Sequence, residues 1–156
     1  MSLRLRPARS TDAGKLGAMI GDAVAARDWK PRLHTAAQDI AHAGQMIERG
    51  WVTVAEIDDA VVGFLAREGG FVHALFVSDD AQGRGVGAAL LAAAKDEAMD
   101  LTLWTFQANL GARRFYAREG FVEIARGDGR GNDERLPDVQ LYWTRAGAKA
   151  KEAAHG

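Results

Sequence analysis

The sequence predicts an α/β protein, α+β in organisation, with about seven strands and four helices, and three observations predict it. Trp51 to Ile57, Val61 to Ala66 and Phe71 to Val77 alternate as half-buried strands do. The turn residues Asp58-Asp59 and Gly69-Gly70 separate them, so the three form an antiparallel meander. From Leu101 onward the pattern changes to strand, helix, strand. Between these regions, Gln82-Gly83-Arg84-Gly85-Val86-Gly87 carries an apolar strand into an Ala/Leu-rich helix.

Each element has a local reason. Leu3 and Leu5 alternate with Arg4 and Arg6 before Pro7, which reads as a short strand with one buried face. Thr11 or Asp12 caps a helix with Leu16, Met19, Ile20, Ala23 and Val24 at helical spacing, and Trp29-Lys30-Pro31 breaks it. A second helix runs from Thr35 to about Glu48 on a stripe of Ile40, Ala43 and Ile47, ending at Gly50. After the meander and the glycine run, Val86, Leu90, Leu91, Ala93, Ala94 and Ala98 give an apolar face to a helix over Val86 to Met99. Leu101 to Phe106 is a dense strand. Asn109 caps a helix to about Arg118, Gly120 stops it, and Phe121 to Ala125 and Val139 to Trp143 are the last strands. Gly127 to Asp138 is too polar for burial and too long for a minimal hairpin, so an exposed functional or mobile loop is expected.

Composition narrows the function. A chain of 156 residues fits one domain, here 1–145, followed by an Ala/Lys-rich tail over 146–156 with no apolar stripe. A formal net charge of -1, from 20 basic and 21 acidic residues, gives no electrostatic footprint for nucleic acid. The absence of cysteine excludes disulfides and thiol catalysis, and no metal site is expected. The first residues lack a signal-peptide core and no run reaches the roughly 20 apolar residues of a membrane span, so a cytoplasmic protein with no membrane partner is expected.

The glycine run carries the chemistry. A strand that turns through glycines into a helix start gathers unpaired N–H groups around one point, and such a nest attracts phosphate. The same glycines would also suit a turn with no ligand, so the flanking residues must decide. A dinucleotide-binding GxGxxG pattern would need glycine at Ala88, and a triphosphate P-loop would need a lysine after Gly87. Both rival phosphate sites fail on spacing.

With these residues, the order of elements resembles the GCN5-related N-acetyltransferase (GNAT) superfamily. Gln82 to Gly87 matches the family's Q/R-x-x-G-x-G/A coenzyme A loop, and Asn109, Phe115-Tyr116 and Gly120-Phe121 match a second family pattern. The resemblance covers roughly residues 2–144 and is strongest between His73 and Phe121. It implies a mostly antiparallel mixed sheet flanked by helices, with acetyl-coenzyme A as cosubstrate. Backbone N–H groups of Gly83, Arg84, Gly85, Val86, Gly87 and Ala88 would hold its pyrophosphate, after Gln82. Leu75, Phe76 and Val77 would pair with the pantetheine arm, and the N–H near Val77 would polarise the thioester carbonyl. Asn109 would lie near the cofactor arm, a role compatible with its capping of the helix.

Tyr116 matches the usual general acid, with a core aromatic as its other reading. The base departs from the family pattern, because the position five residues before Asn109, where several members carry a carboxylate, is Trp104. Trp104 would instead pack or shape the acceptor pocket. His73 shares a strand face with Leu75 and Val77 and titrates near neutrality, which makes it the candidate base beside a purely structural reading. Glu134 and Asp138 would bind a cationic acceptor or relay its proton, or else simply solvate the late loop. The expected reaction is acetyl transfer to a primary amine of a small molecule or peptide, by a chain that family analogy makes a homodimer. A non-catalytic acyl-coenzyme A sensor with the same fold is the competing class.

Overall fold

Seven strands and four α-helices form in the order read from the sequence, in a computed structural model that describes residues 2–147. The tail from residue 148 lies outside the described residues. The chain divides into two compact units, Met1–Glu68 with Val72–Ala93 and Gly69–Phe71 with Ala94–Gly156.

In the first unit, β1 (Leu3–Pro7) pairs antiparallel with β2 (Val52–Ile57), and β2 pairs antiparallel with β3 (Ala60–Glu68). Asp58 and Asp59 take the left-handed φ values of 51° and 66° that a two-residue hairpin requires. β4 (Phe71–Val77) is the next strand beside β3. Helices α1 (Ala13–Ala25) and α2 (Ala36–Glu48) cover these strands, burying Leu16, Met19, Ala43 and Met46 against Val52, Val54, Phe64 and Ala66. Gly17 permits the helices to meet, since a Cβ there would sit 2.6 Å from Ile40 Cγ1 and 2.7 Å from Ile40 Cα.

Two expectations need correction here. The buried residues of α2 are Asp39, Ala43 and Met46, whereas Ile40 lies against α1 at Gly17 and is 41% exposed. Asp12 stands at the N-cap position of α1 without a side-chain cap bond, whereas Thr35 caps α2, its Oγ1 accepting from Gln38 N–H at 3.2 Å. Asp12 turns back instead. Its carboxylate accepts from Arg6 at 2.9 and 3.1 Å and from Arg9 N–H at 2.7 Å, and Arg6 Nε also donates to Glu56 at 3.0 Å. The Arg6 guanidinium holds the Asp12 carboxyl below the usual carboxylate range.

In the second unit, β7 (Asp138–Thr144) lies between β5 (Asp100–Phe106) and β6 (Val122–Gly127), antiparallel to both. Phe71 pairs in parallel with Thr102, which makes the strand pairing mixed. α4 (Leu110–Arg118) ends at Gly120, whose φ of 93° is open to glycine, and Phe121 N–H then returns to Tyr116 O at 3.0 Å. Strands β6 and β7 extend beyond their expected ends, so the late loop shortens to residues 128–137. Helix α3 is also shorter than expected, running Val86–Glu97 rather than to Met99. Among the described residues no helix is long and apolar enough to cross a membrane.

Candidate active site

The glycine loop lies in the first unit. A short 3-10 turn, Asp79–Ala81, leads from β4 to Gln82, and Gly83 and Gly85 then take φ values of 77° and 80°. Only glycine adopts such angles at little cost. A Cβ at either position would meet no heavy atom within 4 Å, so the loop is open above its glycines. α3 begins immediately, and its Ala89 N–H bonds to Gly85 O at 3.0 Å. The N–H groups of Val86, Gly87 and Ala88 precede that bond and therefore have no intrahelical acceptor. Together with the positive end of the helix dipole they form an anion-attracting corner.

Side chains beside the loop fix it. Val86 is buried and packs at Gly63, where a Cβ would lie 3.0 Å from Val86 Cγ1 and 2.9 Å from Phe76 O. Gln82 Nε2 donates to Val77 O at 3.3 Å, tying the loop to the end of β4. Arg84 is exposed. On β4, Phe76 stacks on Phe64 with centroids 5.3 Å apart and joins the core, while Leu75 and Val77 are half-buried.

His73 stands in a cluster. Its ring stacks on Trp51 with centroids 4.5 Å apart and planes within 2°, and Nε2 lies 3.1 Å from Glu68 Oε1. Arg49 Cζ lies 5.0 Å from the Trp51 centroid.

The remaining candidates belong to the second unit. Asn109 Oδ1 accepts from Ala112 N–H at 3.1 Å, the helix cap the sequence allowed. Tyr116 is 8% exposed and packs edge-on against Phe115 and Phe121, with centroids 5.1 and 5.3 Å away. Burial pushes its phenol well above the ordinary tyrosine value. Trp104 is 43% exposed. Asp138 Oδ2 accepts from Asn132 Nδ2 at 3.2 Å, and Asn132 also exchanges hydrogen bonds with the Leu136 backbone at 2.8 and 3.2 Å. Gln107 Nε2 donates to Asp138 O at 3.0 Å and Gly127 O at 3.4 Å. The loop that Asp138 closes, which also carries half-buried Glu134, is internally bonded.

Comparison with known proteins bears on these features together. The acetyltransferase (GNAT) domain family matches residues 48–123, a span that includes the glycine loop and both Asn109 and Tyr116. Residues 48–123 thus match the GNAT superfamily. An uncharacterized N-acetyltransferase of Archaeoglobus fulgidus is 35% identical over 88 residues, covering 46% of this chain and 60% of the relative. Peptidyl-lysine N-acetyltransferase YjaB of Escherichia coli is 37% identical over 78 residues, covering 50% and 52%. The chain thus spans about half the length of the curated relatives it matches. The solution structure of apo YjaB superimposes with a TM-score of 0.77 at 26% identity, covering 92% of this chain and 98% of that one. A Salmonella typhimurium acetyltransferase, yncA, solved with acetyl-CoA, shares the fold with a TM-score of 0.71 at 21% identity, covering 92% and 94%.

Sequence reasoning missed Glu68, Trp51, Gln107 and Asn132. Glu68 had a readable signal, since Gly69-Gly70 turns the chain back and brings β3 alongside His73. Asn132 had none, because its partner Leu136 becomes a partner only once the loop has folded.

Proposed function

We propose that this protein transfers an acetyl group from acetyl-coenzyme A directly to a primary amine, without a covalent acyl-enzyme. The observation that carries the reading is the open glycine loop with left-handed Gly83 and Gly85 at the start of α3, in a chain whose residues 48–123 match the GNAT superfamily. Its N–H groups suit a pyrophosphate, and yncA, a protein of the same fold, was solved with acetyl-CoA. In this reading Leu75, Phe76 and Val77 present backbone to the pantetheine arm, Asn109 flanks it, and Val77 N–H stabilises the oxyanion.

The remaining roles follow from proton balance. A lysine-like amine has a pKa of about 10.4, so it must lose a proton before its nitrogen attacks. His73 takes that proton, directly or through water. The nitrogen lone pair then adds to the carbonyl carbon, and as the tetrahedral intermediate collapses and the C–S bond breaks, the nitrogen releases its second proton to solvent and leaves as a neutral amide. Tyr116, which burial keeps as a neutral phenol, donates a hydrogen bond to the departing thiolate, and the thiolate takes its proton from solvent. Trp104, Glu134 and Asp138 are assigned to the acceptor side. A peptide lysine heads the acceptor classes because YjaB is named for that activity.

Thiol release from acetyl-coenzyme A, measured against polyamines, aminoglycosides, amino acids and a lysine peptide, tests the reading. Turnover with at least one amine is expected, and Tyr116→Phe should lower kcat about 100-fold with little change in cofactor affinity. Tight cofactor binding with no turnover on any amine would instead identify an acyl-coenzyme A sensor. Equal kcat for the wild type and Tyr116→Phe would remove the role of Tyr116.

A further inference from the structure

We propose that Glu68 and Trp51 are positioning residues for His73, holding its imidazole so that Nδ1 receives the acceptor proton. The proposal rests on the acetyl-transfer reading above and adds the machinery of its base. A glutamate carboxylate only accepts hydrogen bonds, so at 3.1 Å the shared proton sits on His73 Nε2. In the neutral ring the lone pair then lies on Nδ1, the atom that can act as base. Trp51 fixes the ring plane, at 4.5 Å and 2° from parallel, and Arg49 lies 5.0 Å over the Trp51 ring.

Strand geometry places the cluster usefully. Ala74 and Phe76 pack into the core of the first unit, so His73 shares the opposite face of β4 with Leu75 and Val77. The His73 side chain keeps 30% of its surface exposed and Glu68 keeps 60%, which leaves a route for the proton to water. Glu68 on β3 meets the imidazole directly, Arg49 lies over the Trp51 ring, and the Arg67 backbone N–H donates to Trp51 O at 3.0 Å. In the reaction, one acceptor N–H bond breaks and an Nδ1–H bond forms. Glu68 stabilises the resulting imidazolium until solvent removes the proton, while the freed amine displaces the thiol as described.

A surface staple would show the same contacts, so the test must separate positioning from stability. Steady-state kinetics use acetyl-coenzyme A and the fastest acceptor of the amine panel. His73→Gln should lower kcat about 100-fold and Glu68→Ala about 10-fold, within the range of general-base effects. Glu68→Gln should lose less, because its amide oxygen still accepts from Nε2–H, and Trp51→Phe should restore most of what Trp51→Ala loses. The KM for acetyl-coenzyme A should stay unchanged throughout. Because the residues act as a unit, Glu68→Ala on the His73→Gln background should cost nothing further.

Imidazole 15N shifts give a readout independent of turnover. The wild type should show His73 as the Nε2–H tautomer, and Glu68→Ala should show a mixture. Additive kinetic losses, an equal loss in cofactor KM, or an unchanged tautomer in Glu68→Ala would overturn the proposal while leaving acetyl transfer intact. A wild type inactive on every amine would instead overturn the transfer reading, and the catalytic role of the pair with it.

Discussion

The two glycine-bearing loops of this protein resolve the same backbone problem in opposite ways. Residues 82–87 leave their glycines open, with nothing within 4 Å of a Cβ at Gly83 or Gly85, and they lead into N–H groups that no helix carbonyl can satisfy. Residues 128–137 fold onto themselves. A Cβ at Gly129, with φ of 95°, would lie 2.8 Å from the Arg135 and Leu136 backbone, and Asn132 bonds both the N–H and the carbonyl of Leu136. The difference teaches how a polar, glycine-rich segment is to be read. One loop is open above its glycines and leads into N–H groups without a helix acceptor; the other bonds much of its backbone internally.

Substitutions can break that contrast, and the largest effect is expected at Gly85. Gly85→Asp adds a side chain at a left-handed φ, costing about 1–3 kcal/mol, and sets a carboxylate against phosphate. Calorimetric titration should show acetyl-coenzyme A binding weakened about 100-fold, beyond a fall in melting temperature of roughly 2–12 °C from the strain; unchanged affinity would remove the loop assignment. Gly129→Val should do the reverse. Its collision with backbone should lower the melting temperature by roughly 6–12 °C, for a loss of about 3 kcal/mol, and leave cofactor affinity within about twofold. A weakened cofactor at normal stability would show that the late loop serves the ligand.

Smaller changes sharpen the comparison. Asn132→Ala strips two backbone groups of their partners and should cost about 1–3 kcal/mol in a denaturant titration, with the same cofactor affinity. Gln82→Ala removes one long bond to Val77 O, 3.3 Å, and should weaken cofactor binding only about twofold to fivefold, as read by the same calorimetry. A larger effect than that of Gly85→Asp would mean that the Gln82 side chain, rather than the loop backbone, holds the cofactor.

The contrast also explains what the sequence made legible. Strand alternation, the Asp58-Asp59 turn and the Gln82 to Gly87 run are local signals, so seven strands, four helices and a glycine turn into α3 could be read from residues a few positions apart. Ile40 misled because its contact is with Gly17, 23 positions away on α1, and it keeps 41% of its surface exposed there. Asp12 misled because Arg6 competes successfully for its carboxylate. The late loop, expected to be exposed and functional or mobile, is largely exposed, and its closing bonds from Asn132 and Gln107 were not legible because they exist only in the folded chain. Glu68 lies between these cases, local in sequence yet meaningful only beside the stacked ring of His73.

The most direct test of which loop holds the donor is a 1H-15N titration of the wild-type protein with acetyl-coenzyme A. The amides of Gly83, Arg84, Gly85, Val86, Gly87 and Ala88 should show the largest shifts, as a bound pyrophosphate draws on their protons. Residues 129–136 should stay nearly still. Shifts centred on the late loop, or a saturable titration that leaves the amides of 83–88 unmoved, would contradict the account.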